Sequence, residues 1–276
     1  MKNILFLIGL VFLISACEER PVVIPEFEPI QSGRVVLVEE LTGVRCPNCP
    51  AGSERLNSIE TQYPDNIVIV GIHGTDLTKP LAESKYDFRN QDAIDLENFL
   101  KPYLGKPAAY FNRVFYDELQ GDWGNSFNGQ WQGYFERELE KPQTLELSIT
   151  KSYDPETRVL DITVGALALE DLTGDFKVTI MLTENDIIDA QDDQNTIIDD
   201  YKHKHVLREI ITNFDGDQFA ITLERNKPFT KSYTFTIPQD ETDLWNDDNM
   251  EVIAFIANTE GESEEVLQAA IANLKD

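Results

Sequence analysis

The sequence predicts an α/β domain over residues 34–143 followed by an all-β sandwich over residues 144–276, and three observations carry that prediction. Two apolar runs, Val35–Val38 and Ile67–Ile72, flank a stretch with helical spacing, the strand–helix–strand alternation of a parallel sheet. A Cys-Pro-Asn-Cys motif, Cys46 to Cys49, sits where the first run hands over to the helix. Beyond Thr144 the pattern changes to short strand-like runs separated by Asp, Gly and Pro turns.

At 276 residues with 41% apolar content, the chain is long enough to fill two cores. Its 23 Lys and Arg against 50 Asp and Glu give a formal charge of −27, which argues against nucleic acid and anionic lipid surfaces as partners. Residues 1–16 read as an export signal, with Lys2 as the charged start and Ile4–Ile14 as an apolar run too short to span a membrane. The following Leu13-Ile14-Ser15-Ala16-Cys17 resembles the lipobox of bacterial lipoproteins, a resemblance that implies an acylated Cys17, palmitate-type anchoring and an outer-membrane address facing the periplasm or the cell surface. Residues 17–33, with Pro21, Pro25 and Pro29, read as an extended tether.

Folding is expected to begin at Arg34, with Val35–Val38 as a strand buried on both faces. After Cys49, Pro50 fits the first turn of a helix, Leu56 and Ile59 continue it, and Tyr63-Pro64 stops it. The run through Ile67–Ile72 to His73 is the second strand, parallel to the first. A helix is expected around Asp92–Leu100, then a short strand after Gly105-Lys106-Pro107, then a helix over Phe127–Glu140 whose aromatic stripe is core. Strand runs follow at Leu145–Ser152, Val159–Leu169, Phe176–Glu184, His205–Ile211, Phe219–Leu223, Lys231–Ile237, Met250–Asn258 and Val266–Asn273, the last two forming a hairpin.

With Cys17 lipidated, Cys46 and Cys49 remain as a single pair, and the loop between them is too short to stabilise much as a structural disulfide. Chemistry is the better reason for the pair. Residues 34 to about 141 resemble a thioredoxin-fold domain, which places C-x-x-C after a buried strand, an acid six residues before the first cysteine, and a cis-proline from a later loop against the disulfide. Glu40 and Pro107 fill the second and third positions. The sequence departs from that family at Arg45, where an aromatic residue is usual, and at Pro47-Asn48 between the cysteines. Together with Glu39-Glu40-Leu41-Thr42-Gly43, Gly105-Lys106-Pro107 ahead of Asn112-Arg113, and His203–Arg208, the motif resembles the Omp28-related outer-membrane lipoproteins of Bacteroidetes over nearly the whole mature length. The combined expectation is a thioredoxin-like α/β domain followed by an immunoglobulin/fibronectin-like β-sandwich.

The thioredoxin resemblance implies roles. Cys46, beside Arg45 at a helix start, would attack or be attacked by a substrate sulfur. Cys49 would resolve the mixed disulfide, Glu40 would move its proton, and Pro107 would let a substrate backbone lie across the disulfide. Arg45, Pro47, Asn48 and Lys106 would contact the substrate. Two functions remain open: a thiol-disulfide oxidoreductase acting on protein thiols or disulfides, or a surface binding or assembly lipoprotein whose sandwich takes a protein or glycan ligand.

No cofactor is called for. Zinc is not expected, because a closed site needs four ligands and His203 and His205 are assigned to a different domain from His73 and the cysteines. His203 and His205 would share one face of a strand as cross-strand partners. The acidic stretch Asp186–Asp200 has calcium-binding composition without the EF-hand spacing.

Overall fold

The computed structural model describes residues 33–100, 102–239, 244–261 and 263–275. The signal peptide, Cys17 and all of the tether except Gly33 lie outside the described residues. Strands β1 (Val36–Leu41) and β2 (Ile67–Ile72) are buried throughout and pair in parallel, Val36 opposite Ile67 and Leu41 opposite Ile72. Helix α1 (Cys49–Gln62) connects them, with Cys49, Gly52, Leu56 and Ile59 on its buried face. Strand β3 (Ala108–Phe111) lies antiparallel on the other side of β1.

Alternation along β1 decides what each face meets. Val36 and Val38 point to α1 and to α3 (Trp131–Leu139), forming a core with Leu56, Ile59, Trp131, Phe135 and Leu139. Leu37 and Leu41 point the other way, onto α2 (Gln91–Phe99). Asn90 caps α2 by accepting from the Ala93 amide at 2.7 Å. The aromatic stripe expected to be core is so at Trp131 and Phe135, whereas Phe127 is exposed and precedes a 3₁₀ turn, Asn128–Gln130.

The second half is a two-layer β structure. One layer is β11-β5-β4, from β4 (Leu145–Asp154), β5 (Val159–Ala168) and β11 (Pro228–Thr236). The other contains β6 (Leu172–Glu184), β9 (Val206–Ile210), β10 (Asp217–Leu223), β12 (Met250–Asn258) and β13 (Glu265–Asn273). Leu160, Ile162 and Val164 of β5 meet Val178, Ile180, Val252 and Ala254 between the layers. The expected Met250–Asn258 hairpin partner is found, since β12 and β13 pair antiparallel.

The sandwich expectation differs from the structure in one respect: its inner layer is not a separate sheet. The order β13-β12-β6-β9-β2-β1-β3 is continuous across residue 143, and β10 pairs β6 outside that path. The splice is Gly71 of β2 beside Val206 of β9, with the Gly71 amide donating to the His205 carbonyl at 2.7 Å. A Cβ on Gly71 would stand 3.3 Å from that same carbonyl oxygen, so the close approach uses the missing side chain. The outer edge of β2 is thereby covered instead of left open.

Two further strands were not expected. The acidic stretch is a hairpin of β7 (Ile187–Asp193) and β8 (Thr196–His203), paired only with each other and lying over the start of α1. Among the described residues no helix is long and apolar enough to cross a membrane.

Candidate functional site

The site grows from the loop leaving β1. The Cys46 amide donates to Gly43 O and the Cys49 amide to Cys46 O, a tight double turn that delivers the chain into α1. Cys46 and Cys49 form a disulfide with Cα atoms 5.3 Å apart. The helix starts at Cys49 with Pro50 in its first turn, so Cys46 stands in the turn ahead of the helix.

Accessibility differs from what the resemblance implies. Cys46 is 0% exposed and Cys49 is 1% exposed, so neither sulfur is offered to solvent. The β7–β8 hairpin seals them. Its Asp192 amide donates to Val44 O at 2.8 Å, and the Gln191 side-chain amide donates to Gly43 O at 3.3 Å and Cys46 O at 3.2 Å. Asp189, read from composition as a calcium-type acid, is buried and accepts from the Lys85 and Tyr86 amides at 2.7 and 3.0 Å. Those bonds clamp the hairpin to the segment after β2, and they account for the acid without an ion.

Glu40 lies on the α1 side of β1, as alternation requires, and shares a cavity of about 30 Å³ with Cys49. Ser53 of α1 donates to its two carboxyl oxygens at 3.3 and 3.4 Å. Burial pushes the Glu40 carboxyl up to about 8, only partly opposed by that hydrogen bond. The carboxyl is therefore protonated at neutral pH. Tyr201, His203 and Gln191 close the cavity from the hairpin side, and His73 from beyond β2.

The three histidines come together at this cavity, contrary to their expected separation into two domains. They do not share one strand face: His203 ends β8, packing 4.8 Å from Phe88 and 6.2 Å from His73, while His205 follows in a left-handed conformation. Burial holds His203 and His205 down at about 4 and His73 well below its ordinary value, so all are neutral at pH 7. Among the described residues no three His, Cys, Asp or Glu groups are placed to hold a metal ion.

Pro107 follows a cis peptide bond and rests against α1 at Gly52. A Cβ on Gly52 would meet Pro107 Cβ at 2.8 Å, its Cγ at 2.9 Å and the Trp131 ring at 3.0 Å. Gly52→Ala is expected to lower stability by roughly 1–3 kcal/mol through overpacking, outweighing alanine's helix advantage of about 1 kcal/mol, as a drop in the urea midpoint.

The expected substrate contacts divide. Asn48 is exposed and Pro47 half-buried, both on the outer side of the loop. Arg45 is exposed, but its Nε donates to Lys79 O at 2.8 Å and its Nη2 to Pro80 O, which ties the loop to the chain after β2. Lys106 is turned inward: its ammonium is buried 2.9 Å from Glu97, which also accepts from Tyr103 and Thr75. An ammonium placed there serves the fold, not a substrate. Sequence reasoning missed Gln191, Tyr201 and Ser53. The signal was present in Ile187-Ile188 and Ile197-Ile198 around Gln194-Asn195, a two-residue turn that acidity disguised.

The sequence pattern of a family described as outer membrane protein Omp28 matches residues 102–275. Among solved structures, HBP35 of Porphyromonas gingivalis is similar with a TM-score of 0.66 at 16% identity, covering 88% of this chain and 76% of its own. That likeness is one of fold: mostly β-strands in several sheets with few helices. A domain of the outer membrane lipoprotein Omp28 from Porphyromonas gingivalis is similar over 47% of this chain and 87% of its own, at 18% identity and a TM-score of 0.32. No curated protein matches the chain.

Proposed function

The chain belongs to the Omp28 family of outer membrane proteins, and from that premise we propose that it is a lipid-anchored envelope protein whose thioredoxin-like first half exchanges thiols and disulfides with protein substrates. The anchor is Cys17, which leaves Cys46 and Cys49 for chemistry. The observation that carries the reading is the protonated Glu40 beneath the disulfide. A buried carboxyl with a single hydroxyl partner weakens a fold, and a disulfide serving only as a staple has no use for it. Strand β1, α1, β2 and the cis Pro107 packed against α1 support the thioredoxin-like arrangement.

In the reducing direction Cys46 thiolate attacks one sulfur of a substrate disulfide, and the other substrate sulfur leaves as thiolate. Glu40, once ionised, takes the proton of Cys49, whose thiolate attacks Cys46 Sγ. The Cys46–Cys49 bond forms, and the second substrate sulfur is released with its electron pair. The same steps reversed oxidise a substrate dithiol. Either direction requires the Gln191 and Asp192 contacts to open, because both sulfurs are covered.

That burial also favours a second reading, a surface binding or assembly lipoprotein in which the disulfide is inert and the sandwich takes a protein or glycan. A Cys49→Ser full-length chain separates the two. Exchange activity leaves Cys46 unable to be resolved, so envelope proteins accumulate as mixed disulfides on that variant and not on Cys46→Ser. Equal retention by both variants, with a natural disulfide that a dithiol cannot reduce in the folded state, supports the binding reading instead.

A further inference from the structure

We infer that Ser53 and Tyr201 form the proton path between Glu40 and solvent, making both positioning residues for exchange at Cys49; the inference rests on the dithiol reading above. Glu40 is sealed from water on the sheet side by β1, and its hydrogen-bonding partner among the described residues is the Ser53 hydroxyl. Every turnover must nevertheless load or unload a proton at this carboxyl. Only a hydroxyl chain or a trapped water can do so without an open channel.

Tyr201 is the residue placed to complete the chain. It lines the small cavity together with Glu40, Ser53 and Cys49, and it also lines the open groove between α1 and β8 with Pro50, Glu54 and Asp193. Burial pushes the Tyr201 phenol up, the Ser53 hydroxyl opposes the rise and the Glu40 charge adds to it. A cavity of about 30 Å³ has room for one water between such groups. The phenol and the serine hydroxyl each accept a proton on one lone pair while releasing another, so neither has to ionise.

The other groups facing Glu40 come from three elements. Cys49 and Ser53 come from α1, His73 from the end of β2, and Tyr201, His203 and His205 from β8 and the residues after it. The histidines are neutral, His73 and His203 are buried and His205 half-buried beside Glu60 and Glu251, and none hydrogen-bonds the carboxyl. Lys202 and Lys204 reach the rim and are exposed. The Tyr201 ring also packs 4.8 Å from His203, so Tyr201→Phe keeps the packing and removes the hydroxyl alone.

The test is the oxidation of the reduced full chain by oxidised glutathione, a disulfide probe, followed by stopped-flow between pH 6 and 9. Closing the Cys46–Cys49 bond passes the Cys49 proton to Glu40 and releases two glutathione sulfurs as thiolates, so the two electrons taken from the dithiol go to glutathione without another oxidant. In the natural protein the rate is expected to rise with a midpoint near pH 8, as Glu40 ionises. Tyr201→Phe and Ser53→Ala are expected to slow it about tenfold, to introduce a solvent isotope effect in D2O, and to recover in imidazole buffer, Tyr201→Phe with unchanged melting temperature. Variants that keep the natural rate, profile and isotope insensitivity while Glu40→Gln slows would overturn the path and leave the dithiol reading standing. A natural protein inert to the probe overturns both.

Discussion

Oxidised Glu40→Gln is expected to be more stable than the natural protein at pH 8 by roughly 3–5 kcal/mol, and nearly equal to it at pH 4. The folded carboxyl titrates near 8 against an ordinary 4.5, because burial disfavours its charged form. Between those values the folded state holds a proton that the unfolded state has released. Stability of the natural protein therefore falls as pH rises through that window and levels off above it. Glutamine has nothing to titrate and keeps a polar group for Ser53. Urea unfolding of both oxidised proteins at pH 4, 6 and 8 measures the divergence; parallel curves would mean Glu40 is not the buried acid described. The same substitution is expected to slow resolution by Cys49 by about 10²–10⁴-fold, since the general base is lost. Gain in stability with loss of exchange is the signature of a residue kept for chemistry.

The opposite outcome is expected one residue earlier. Glu39 and Arg113 form a bidentate pair, Nε to Oε2 at 2.8 Å and Nη2 to Oε1 at 2.6 Å, with side chains 0% and 1% exposed. Phe99 and Phe255 sandwich the guanidinium at 5.5 and 4.9 Å, joining α2 to β12 through it. Arg113→Met is expected to lower stability by about 3–5 kcal/mol, because the Glu39 carboxylate is left buried without a partner. Changing both residues to methionine should restore most of the loss, because the pair's desolvation penalty disappears with its attraction. Denaturant midpoints for the single and double variants decide this; an additive double variant would contradict the pairing.

Glu39 and Glu40 show how far the sequence could be read. Strand alternation sends the two acids to opposite faces, and the six-residue spacing to Cys46 marks Glu40, but nothing local says that Glu39 meets Arg113. The same holds at the splice. Gly71 is legible as a glycine in an apolar strand, whereas its partner Val206 lies far along the chain and is chosen by tertiary packing. Strand β1, helix α1 and strand β2 were legible because apolar runs and the bracketing Pro50 and Pro64 act within a few residues. Hairpin β7–β8 was not, because Asp189, Asp192 and Asp193 gave its strands the composition of a solvated loop while Asp189 and Gln191 were facing inward. Lys106 was misassigned because position beside Pro107 suggested a surface role, and only the fold places Glu97 beneath it.

The shared sheet has a further bearing on how such a chain matures after export. Arg34 Nη2 donates to Val266 O at 3.2 Å, and Gln268 receives the Val35 amide at 2.8 Å and donates to Gly33 O at 3.0 Å. Leu37 and Val70 share a core with Phe255 and Val266. The first strand thus shares its covering contacts with residues 255–268, near the end of the chain. Until those residues arrive, that face of β1 and β2 is covered only in part, by α2. Burial of that face is therefore completed only when the carboxyl-terminal strands arrive.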